Sequence, residues 1–298
     1  MQEIITPFSL RYDGNATDEH VIDALQFGKS LTGAARIYNA TAHYCLFGEV
    51  PKVNFRKEFT TFVSVPKEGC YDALVIIAAL APQNLIFAEL GKEALAQVFF
   101  KTIAALKSLW TTNDSEAIVQ ELGKGLIDVA NENAEVTKIL ANGIIQSNNN
   151  LSSLHEKLIE TLPKLASSLR PSARELVTPI GKSCKTISQF HGTLSASEID
   201  EPEADVIRSK DDLTIEEMTD FVCTAITEIN RNTCHCEMMV EGFNGIMKGT
   251  ISDPVLSKPG NVYTQSLDQQ TPFKFSAKPV KKDGEIHRFY ISDAECLE

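Results

Sequence analysis

Six leucines recur at helical spacing between residues 151 and 169, and this series is the strongest constraint that the sequence puts on the fold. Their intervals of three or four residues place them on one apolar stripe of a helix. The stripe consists of Leu151, Leu154, Leu158, Leu162, Leu165 and Leu169. It predicts either a helical hairpin within the chain or an interface between two copies in a coiled coil. Pro163 falls inside the stripe and predicts a kink or a restart of the helix.

The leucine stripe ends a long stretch whose apolar residues follow helical spacing. The pattern predicts one helix over 85–109 and another over 115–145, with Ser115 as the N-cap of the second. The polar run 146–150 predicts a loop or a weak point in a longer helix. We therefore expect residues 83–190 to form a central helical arm or bundle.

The N-terminal segment, residues 1–82, predicts a strand, a helix and a hairpin. Alternating apolar residues before Asp13 indicate the strand, and Thr17 is the expected N-cap of a helix that ends near Gly48. Residues 54–80 contain two strand-like runs around a Pro-Lys-Glu-Gly turn, which is typical of a β-hairpin. This segment is therefore expected to be an α+β domain.

The last third of the chain changes in character. Residues 191–232 are predicted to be an acidic linker followed by a short helix over 213–230. Short alternating runs and the turn signals Asn244-Gly245 and Asp283-Gly284 then predict a small β-barrel-like domain over 233–298. The whole chain is predicted to be an α+β protein with an N-terminal strand-helix-hairpin unit, a helical arm or bundle and a small C-terminal barrel.

Composition narrows the possible environments and partners. A formal net charge of -12 speaks against broad binding to nucleic acid, which depends on clustered lysine and arginine. The most apolar window, 73–80, is too short to span a bilayer, and the N-terminus lacks the pattern of a signal peptide. Seven scattered cysteines suggest reduced thiols. We expect a cytoplasmic protein that does not bind membranes.

The tripeptide Gly28-Lys29-Ser30 resembles the end of a phosphate-binding loop, but its context does not. Such a loop needs a glycine five residues before its last glycine, whereas Asp23 stands there and would repel phosphate. A second copy, Gly181-Lys182-Ser183, has Leu176 at that position. We therefore expect no nucleotide cofactor, and a packing role for Gly28 and the nearby Gly33.

Cys234, His235 and Cys236 are the densest cluster of metal-binding side chains. Paired zinc ligands are usually separated by two to four residues, whereas Cys234 and Cys236 are separated by one. If both lie in a strand, they share a face and His235 points away. The cluster is thus a weak zinc candidate, and buried reduced cysteines are the favoured interpretation.

Two further groups of residues leave open an enzyme, a ligand sensor or a nucleic-acid module. Asp18, His20 and Lys29 could line a pocket in the N-terminal domain, although acidic residues at a helix start are usually caps. The 54–80 hairpin, together with Lys52 just before it, mixes basic and aromatic residues, which could stack on single strands, although a hairpin that faces a core is the favoured interpretation. These residues are Lys52, Arg56, Lys57, Lys67, Phe55, Phe59 and Phe62.

Several motifs resemble an uncharacterised family of bacterial proteins. The N-terminal ones are FSLRYDG (8–14), DEH (18–20), GKSLTG (28–33), GEV (48–50) and VPKEGCY (65–71). Three more, GTISDP (249–254), FSAKP (275–279) and DGEIHRFYISD (283–293), look like the small β-domain that often ends such proteins. The resemblance covers roughly the first 80 and the last 60 residues, implies no activity for any residue, and points to genes carried by mobile elements and phage-conflict regions.

Together these observations predict a non-enzymatic, oligomeric interaction protein without cofactor or metal. We expect it to bind itself through the leucine stripe and to bind another protein complex. The resemblance implies a role in a bacterial cell, in phage–bacterium conflict, either as a phage-encoded inhibitor of a defence system or as a component of one. A sensor or enzyme in residues 1–82, or a nucleic-acid module in residues 54–80, are the alternatives.

Overall fold

The structure is a computed structural model that describes residues 3–51, 59–63, 72–79, 92–112, 114–132, 151–191, 194–209, 213–282 and 285–297. The chain forms two compact units, Met1–Arg208 and Ser209–Glu298. The first combines long helices with an antiparallel sheet, and the second is a small barrel with a short helix. The predicted α+β class is therefore confirmed.

The first unit contains both strands and helices, in groups along the chain. Its strands are β1 (Glu3–Asp13), β2 (Phe59–Val63), β3 (Asp72–Ala79), β4 (Thr186–His191) and β5 (Leu194–Ile199). Its helices are α1 (Ala24–Phe47), α2 (Lys92–Thr111), α3 (Ser115–Glu132), α4 (Leu151–Leu176) and α5 (Glu201–Arg208). Among the described residues, no helix reaches the length and apolarity that a bilayer span requires.

The sheet of the first unit joins segments that are far apart in sequence. Its strand order is β2-β3-β1-β4-β5, and every pairing in it is antiparallel. Because β1 lies between β3 and β4, the predicted N-terminal and helical segments share one unit. The predicted boundary between residues 82 and 83 is thus not a boundary between compact units. The acidic segment expected to be a linker supplies β5 and α5.

Helix α1 ends where the sequence predicts but begins later. Gly48 closes it in the left-handed conformation at φ 62°, and its N–H donates to the Tyr44 carbonyl at 2.8 Å. The N-cap is Asp23, whose carboxylate accepts from the Gln26 N–H at 2.8 Å. Thr17 lies instead in a single 3₁₀ turn, because its hydroxyl donates to the Gly14 carbonyl at 2.7 Å.

Four of the six leucines in the stripe are buried within the chain. Leu158, Leu162, Leu165 and Leu169 lie in the core that α4 shares with α1, α2 and α3. The side chains of Leu151 and Leu154 lie outside the described residues. Of the two alternatives for the stripe, packing within the chain accounts for the four described leucines. Helix α4 continues through Pro163, where a kink or a restart was expected, and also through Pro171.

The second unit is almost entirely β-structure. Its strands are β6 (Leu213–Ile215), β7 (Thr219–Asn230), β8 (His235–Val240), β9 (Ile246–Ile251), β10 (Phe273–Lys282) and β11 (Glu285–Cys296). A short helix, α6 (Val262–Gln269), lies between β9 and β10 in the chain. The expected small barrel is present, and it begins before residue 233 because β7 belongs to it.

The prediction of a helix over 213–230 is wrong. The residues of β7 are rich in β-branched and aromatic side chains, which favour a strand. Cys223, Ala225 and Ile226 are buried, while Thr224 and Thr227 are exposed, so the strand has one interior and one exterior face. Its pairing with β8 and β10 agrees with this local preference for a strand.

Five strands close into a ring in the order β7-β8-β9-β11-β10, and β10 returns to β7. Only the pairing of β9 with β11 is parallel within this ring of described strands. The strand β6 adds to β10 outside the ring. Helix α6 is tied to β7 because the Ile226 N–H donates to the Ser266 hydroxyl at 3.2 Å. The ring encloses an apolar core built around Phe273, Phe275 and Phe289.

Candidate binding face of the C-terminal barrel

The outer surface of the barrel carries an open cleft of about 360 Å³. It lies across β7, β8, β9 and β11 and reaches the turn between β7 and β8. Its polar lining includes Glu228, Thr233, His235, Glu237, Lys248, Thr250 and Arg288. The cleft is therefore open to water and lined by groups that form hydrogen bonds and ion pairs.

Four charged residues cross the cleft in a row, one on each strand. In strand order they are Glu228 on β7, Glu237 on β8, Lys248 on β9 and Arg288 on β11, each the register partner of the next. Register partners in neighbouring strands point to the same face of a sheet. Two acidic residues are thus followed by two basic ones over about 14 Å, at about 4.8 Å per strand. We call these four residues the charged row.

An exposed apolar pair lies beside the charged row. Met239 and Ile246 are register partners on β8 and β9. Each is two residues along its strand from a member of the row, so both lie on the same face. Met239 is 42% exposed and Ile246 is 56% exposed. An apolar patch rimmed by polar residues is a feature of surfaces that bind other proteins, and this pair forms a small patch of that kind.

A polar pair borders the charged row on its other side. His235 and Thr250 are register partners, and His235 Nδ1 lies 3.2 Å from the Thr250 hydroxyl oxygen. His235 is exposed, whereas Thr250 is buried. This contact fixes the imidazole against the barrel, so that the face has a defined polar edge.

The floor of the cleft is packed too tightly for side-chain variation at one position. Gly249 lies on β9 over the Cys236 sulfur, and a Cβ atom at residue 249 would come within 2.7 Å of it. Burial raises the pKa of the Cys236 thiol to about 12, so this sulfur is neutral at physiological pH. Cys236 is therefore part of the barrel core and not a reactive group of the face.

The prediction that Cys234 and Cys236 lie in one strand with their side chains on the same face is wrong. Cys234 adopts the left-handed conformation at φ 58° and lies in the turn that precedes β8. It is partly exposed, while the Cys236 side chain points into the core. The described residues contain no cluster of three or more histidine, cysteine, aspartate or glutamate side chains that could hold a metal ion.

The acidic residues near the start of α1 accept hydrogen bonds from backbone N–H groups. Asp18 accepts from the Gly14 N–H at 3.1 Å, and Asp23 caps α1. Lys29 is exposed on the helix, and His20 follows the 3₁₀ turn in a left-handed conformation at φ 58°. The interpretation of the acidic residues as caps is confirmed for Asp23, whereas Asp18 bonds the backbone of the 3₁₀ turn.

The Gly28-Lys29-Ser30 tripeptide lies within α1, as predicted, and Gly33 is the position of close packing. A Cβ atom at Gly33 would lie 2.4 Å from the Ser172 carbonyl oxygen, whereas one at Gly28 would meet nothing within 4 Å. Ser30 is fully buried and donates to the Leu176 carbonyl at 2.6 Å. The predicted packing role is therefore correct for Gly33 and not for Gly28.

Most of the predicted hairpin surface lies outside the described residues. From this hairpin, the structure describes the backbones of β2 and β3, together with their antiparallel pairing. The side chains that mixed basic and aromatic character are not described; they are Lys52, Phe55, Arg56, Lys57, Phe59, Phe62 and Lys67. The nucleic-acid alternative for this hairpin stays a prediction.

The sequence interpretation missed the charged row. Alternation in β8 and β9 already places Glu237 with Met239, and Ile246 with Lys248, on one face of each strand. The signal that was lacking is the register, which brings the two strands side by side and adds Arg288 through a parallel pairing.

The strand order of the barrel matches that of a known ligand-binding fold. Numbered within the ring, the strands follow the order first, second, third, fifth and fourth, with a parallel pair and a helix between the third and fourth. This is the arrangement of the OB-fold, a five-stranded Greek-key barrel that binds oligonucleotides and oligosaccharides on the face of its second and third strands. The cleft lies on that face, because residues of β8 and β9 form its centre.

Comparison with known families divides the chain in nearly the same way as its two units. A family model described as a domain of unknown function, DUF7946, matches residues 8–208, and a second, described as a family of unknown function, DUF7947, matches residues 221–295. No curated protein and no solved structure matches the chain. The predicted resemblance to an uncharacterised family is confirmed, and the chain belongs to the DUF7946 family.

Proposed function

We propose that the protein is a non-enzymatic interaction protein that binds a protein partner through the outer face of its C-terminal barrel. The carrying observation is the charged row beside the exposed pair of Met239 and Ile246. Apolar contacts supply affinity in such interfaces, and charges of both signs supply specificity and orientation. This combination favours a protein surface over a ligand of uniform charge.

The charge of the face and of the chain disfavours a polyanion. Two of the four members of the charged row are glutamates, and the chain as a whole carries a net charge of -12. Phosphate contacts need clustered cations, and single-stranded nucleic acid also needs aromatic side chains on which its bases stack. The described lining of the cleft includes no phenylalanine, tyrosine or tryptophan, and its one imidazole, His235, is engaged with Thr250.

The OB-fold arrangement supports one alternative, which is an oligonucleotide or oligosaccharide ligand on the same face. Lys248 and Arg288 could contact phosphates at one end of the cleft. A fluorescent single-stranded oligonucleotide distinguishes this alternative: binding at low salt that weakens steeply as salt rises would support it. No binding at low salt would remove the oligonucleotide version.

Site-specific photo-crosslinking in the native host tests the proposal. A photoreactive amino acid at Met239 of the full chain is expected to capture a protein, because this side chain is exposed beside the charged row. The same amino acid at Gln269, an exposed position at the end of α6, serves as the control. Mass spectrometry then identifies the adduct. Equal capture at both positions, or none at Met239, would refute the proposal.

The wider biological setting stays a prediction. A role in phage–bacterium conflict and the binding of another protein complex rest on the family resemblance and on the absence of a recognised catalytic motif in the sequence. Self-association also stays a prediction, but the four described leucines of α4 are buried and are not the surface that would carry it. The barrel face is the surface on which we base the proposal.

A further inference from the structure

We infer that the barrel face binds a second copy of this chain in a two-fold symmetric dimer. The axis runs parallel to β8 and β9 and passes between them, with the two faces opposed. The inference rests on the proposed function and names the partner. It follows from the self-complementarity of the charged row and of the apolar pair, which a two-fold interface requires.

The charged row matches itself when it is reversed. Rotation about this axis exchanges the β8 side of the face for the β9 side. Glu237 then faces Lys248 of the second copy, and Lys248 faces its Glu237. At the ends of the row, where the barrel curves away from the axis, Glu228 and Arg288 of the second copy are further apart but still of opposite charge. The sequence of two acidic and two basic residues therefore gives two central contacts and two longer-range attractions.

The apolar pair matches itself under the same rotation. Met239 on β8 and Ile246 on β9 are equidistant from the axis, since they are register partners on the two strands that flank it. Each therefore faces the other residue of the pair in the second copy. Their exposed fractions, 42% and 56%, fall when the faces meet. Two independent rows are thus complementary about one axis.

The other in-plane axis is excluded by the same charges. An axis along the charged row would place each residue opposite its own equivalent. Glu237 would then face Glu237 of the second copy, and Lys248 would face Lys248. Like charges directly opposite one another destabilise a contact. The sign pattern selects the axis parallel to the strands.

Charge reversal of the central pair tests the inference with the full chain. Glu237→Lys and Lys248→Glu each convert two attractive contacts of the dimer into repulsive ones. Because exposed ion pairs are worth up to about 1 kcal/mol each, either variant should weaken the dimer by about 30-fold in Kd. Sedimentation velocity over a concentration series measures this. Asp268→Lys, an exposed charge reversal on α6 and outside the cleft, is the matched control and should leave the Kd unchanged.

Mixing the two variants separates an interface effect from misfolding. The Glu237→Lys chain carries two lysines at the centre of its row, and the Lys248→Glu chain carries two glutamates. Each alone should be mainly monomeric, whereas an equimolar mixture should form a heterodimer of about wild-type affinity. A variant that failed to fold could not be rescued in this way. The double variant, with both charges exchanged, should also form a homodimer.

Three results would overturn the inference. They are a wild-type chain that stays monomeric over the whole series, a dimer that neither reversal weakens, and variants that do not recover on mixing. The proposed function fails separately: photo-crosslinks from Met239 to a different protein would refute the dimer and leave the proposed function standing. The absence of any crosslink from Met239 would remove both.

Discussion

Replacing Gly33 by alanine should destabilise the first unit, although alanine favours a helix. Gly33 lies on α1 where the helix contacts the backbone of α4. A Cβ atom there would lie 2.4 Å from the Ser172 carbonyl oxygen and 2.5 Å from the Leu176 nitrogen. Ordinary contact begins near 3.4 Å, so the two helices would have to separate by about 1 Å. Backbone atoms of α4 cannot rotate out of the way.

Two opposing effects determine how much stability the Gly33→Ala variant loses. Overpacking of a close-packed core costs about 1–3 kcal/mol, and rigid backbone neighbours place this site at the upper end. Alanine returns about 1 kcal/mol through its higher helix propensity. The net change in the free energy of unfolding for Gly33→Ala is a loss of about 2 kcal/mol. At 2–4 °C per kcal/mol for a unit of about this size, the Tm falls by roughly 4–8 °C.

Gly28→Ala is the matched control on the same helix. Nothing lies within 4 Å of a Cβ atom at Gly28, so alanine should stabilise the unit by about 0.5–1 kcal/mol. Urea unfolding followed by fluorescence measures both variants. The chain has one tryptophan, Trp110, which is buried in the first unit with its indole N–H bonded to the Ala166 carbonyl at 2.9 Å. Equal or greater stability of Gly33→Ala would refute the reasoning.

Two further predictions concern buried polar groups. Ser30→Ala removes the donor to the Leu176 carbonyl and should cost about 2 kcal/mol in urea unfolding, whereas Thr32→Ala, on the exposed side of the same helix, should stay within about 0.5 kcal/mol. Burial raises the pKa of the Cys223 and Cys236 thiols to about 12, so the unfolded chain releases these protons at lower pH than the folded barrel. Below the ordinary thiol pKa, both thiols are protonated in the folded and the unfolded chain, and the free energy of unfolding does not depend on their titration. As pH rises from about 9 towards 12, the free energy of unfolding falls by about 1.4 kcal/mol per pH unit for each thiol. Calorimetry of the wild type and of a double alanine variant at these cysteines checks this, and equal pH slopes would contradict it.

Local patterns were sufficient for several elements. The end of α1 followed from Gly48, which alone among its neighbours accepts a left-handed conformation without cost. The strands β8 and β9 followed from alternating apolar and polar residues between turn signals. In each case the determining interaction lies within a few residues of the chain.

Elements whose conformation depends on distant partners were not predictable in the same way. The leucine spacing in α4 established an apolar stripe, but it could not show that α1, α2 and α3 cover it. The strand β7 was mistaken for a helix although its β-branched and aromatic residues favour a strand, and its pairing with β8 and β10 agrees with that preference.

The candidate binding face was also predictable only in part, because some of its contacts are local and others depend on strand pairing. The sequence alone places Glu237 beside Met239 and Ile246 beside Lys248, each on one face of a strand. The register of β8 against β9, and the parallel pairing that brings Arg288 alongside Lys248, arise from closure of the barrel. Complementarity between two copies becomes visible only when all four strands are in place.

The most direct test of the account is a distance between two copies across the barrel face. Opposed sheets pack about 10 Å apart at the axis, and the closed barrel curves away from it towards β7. A nitroxide label at Thr224, an exposed residue of β7, should therefore give an intermolecular dipolar distance of about 20–35 Å. The distance should vanish in Glu237→Lys and return when that labelled variant is mixed with Lys248→Glu carrying the same label. Absence of this distance in the wild type, or its persistence in Glu237→Lys, would contradict the account.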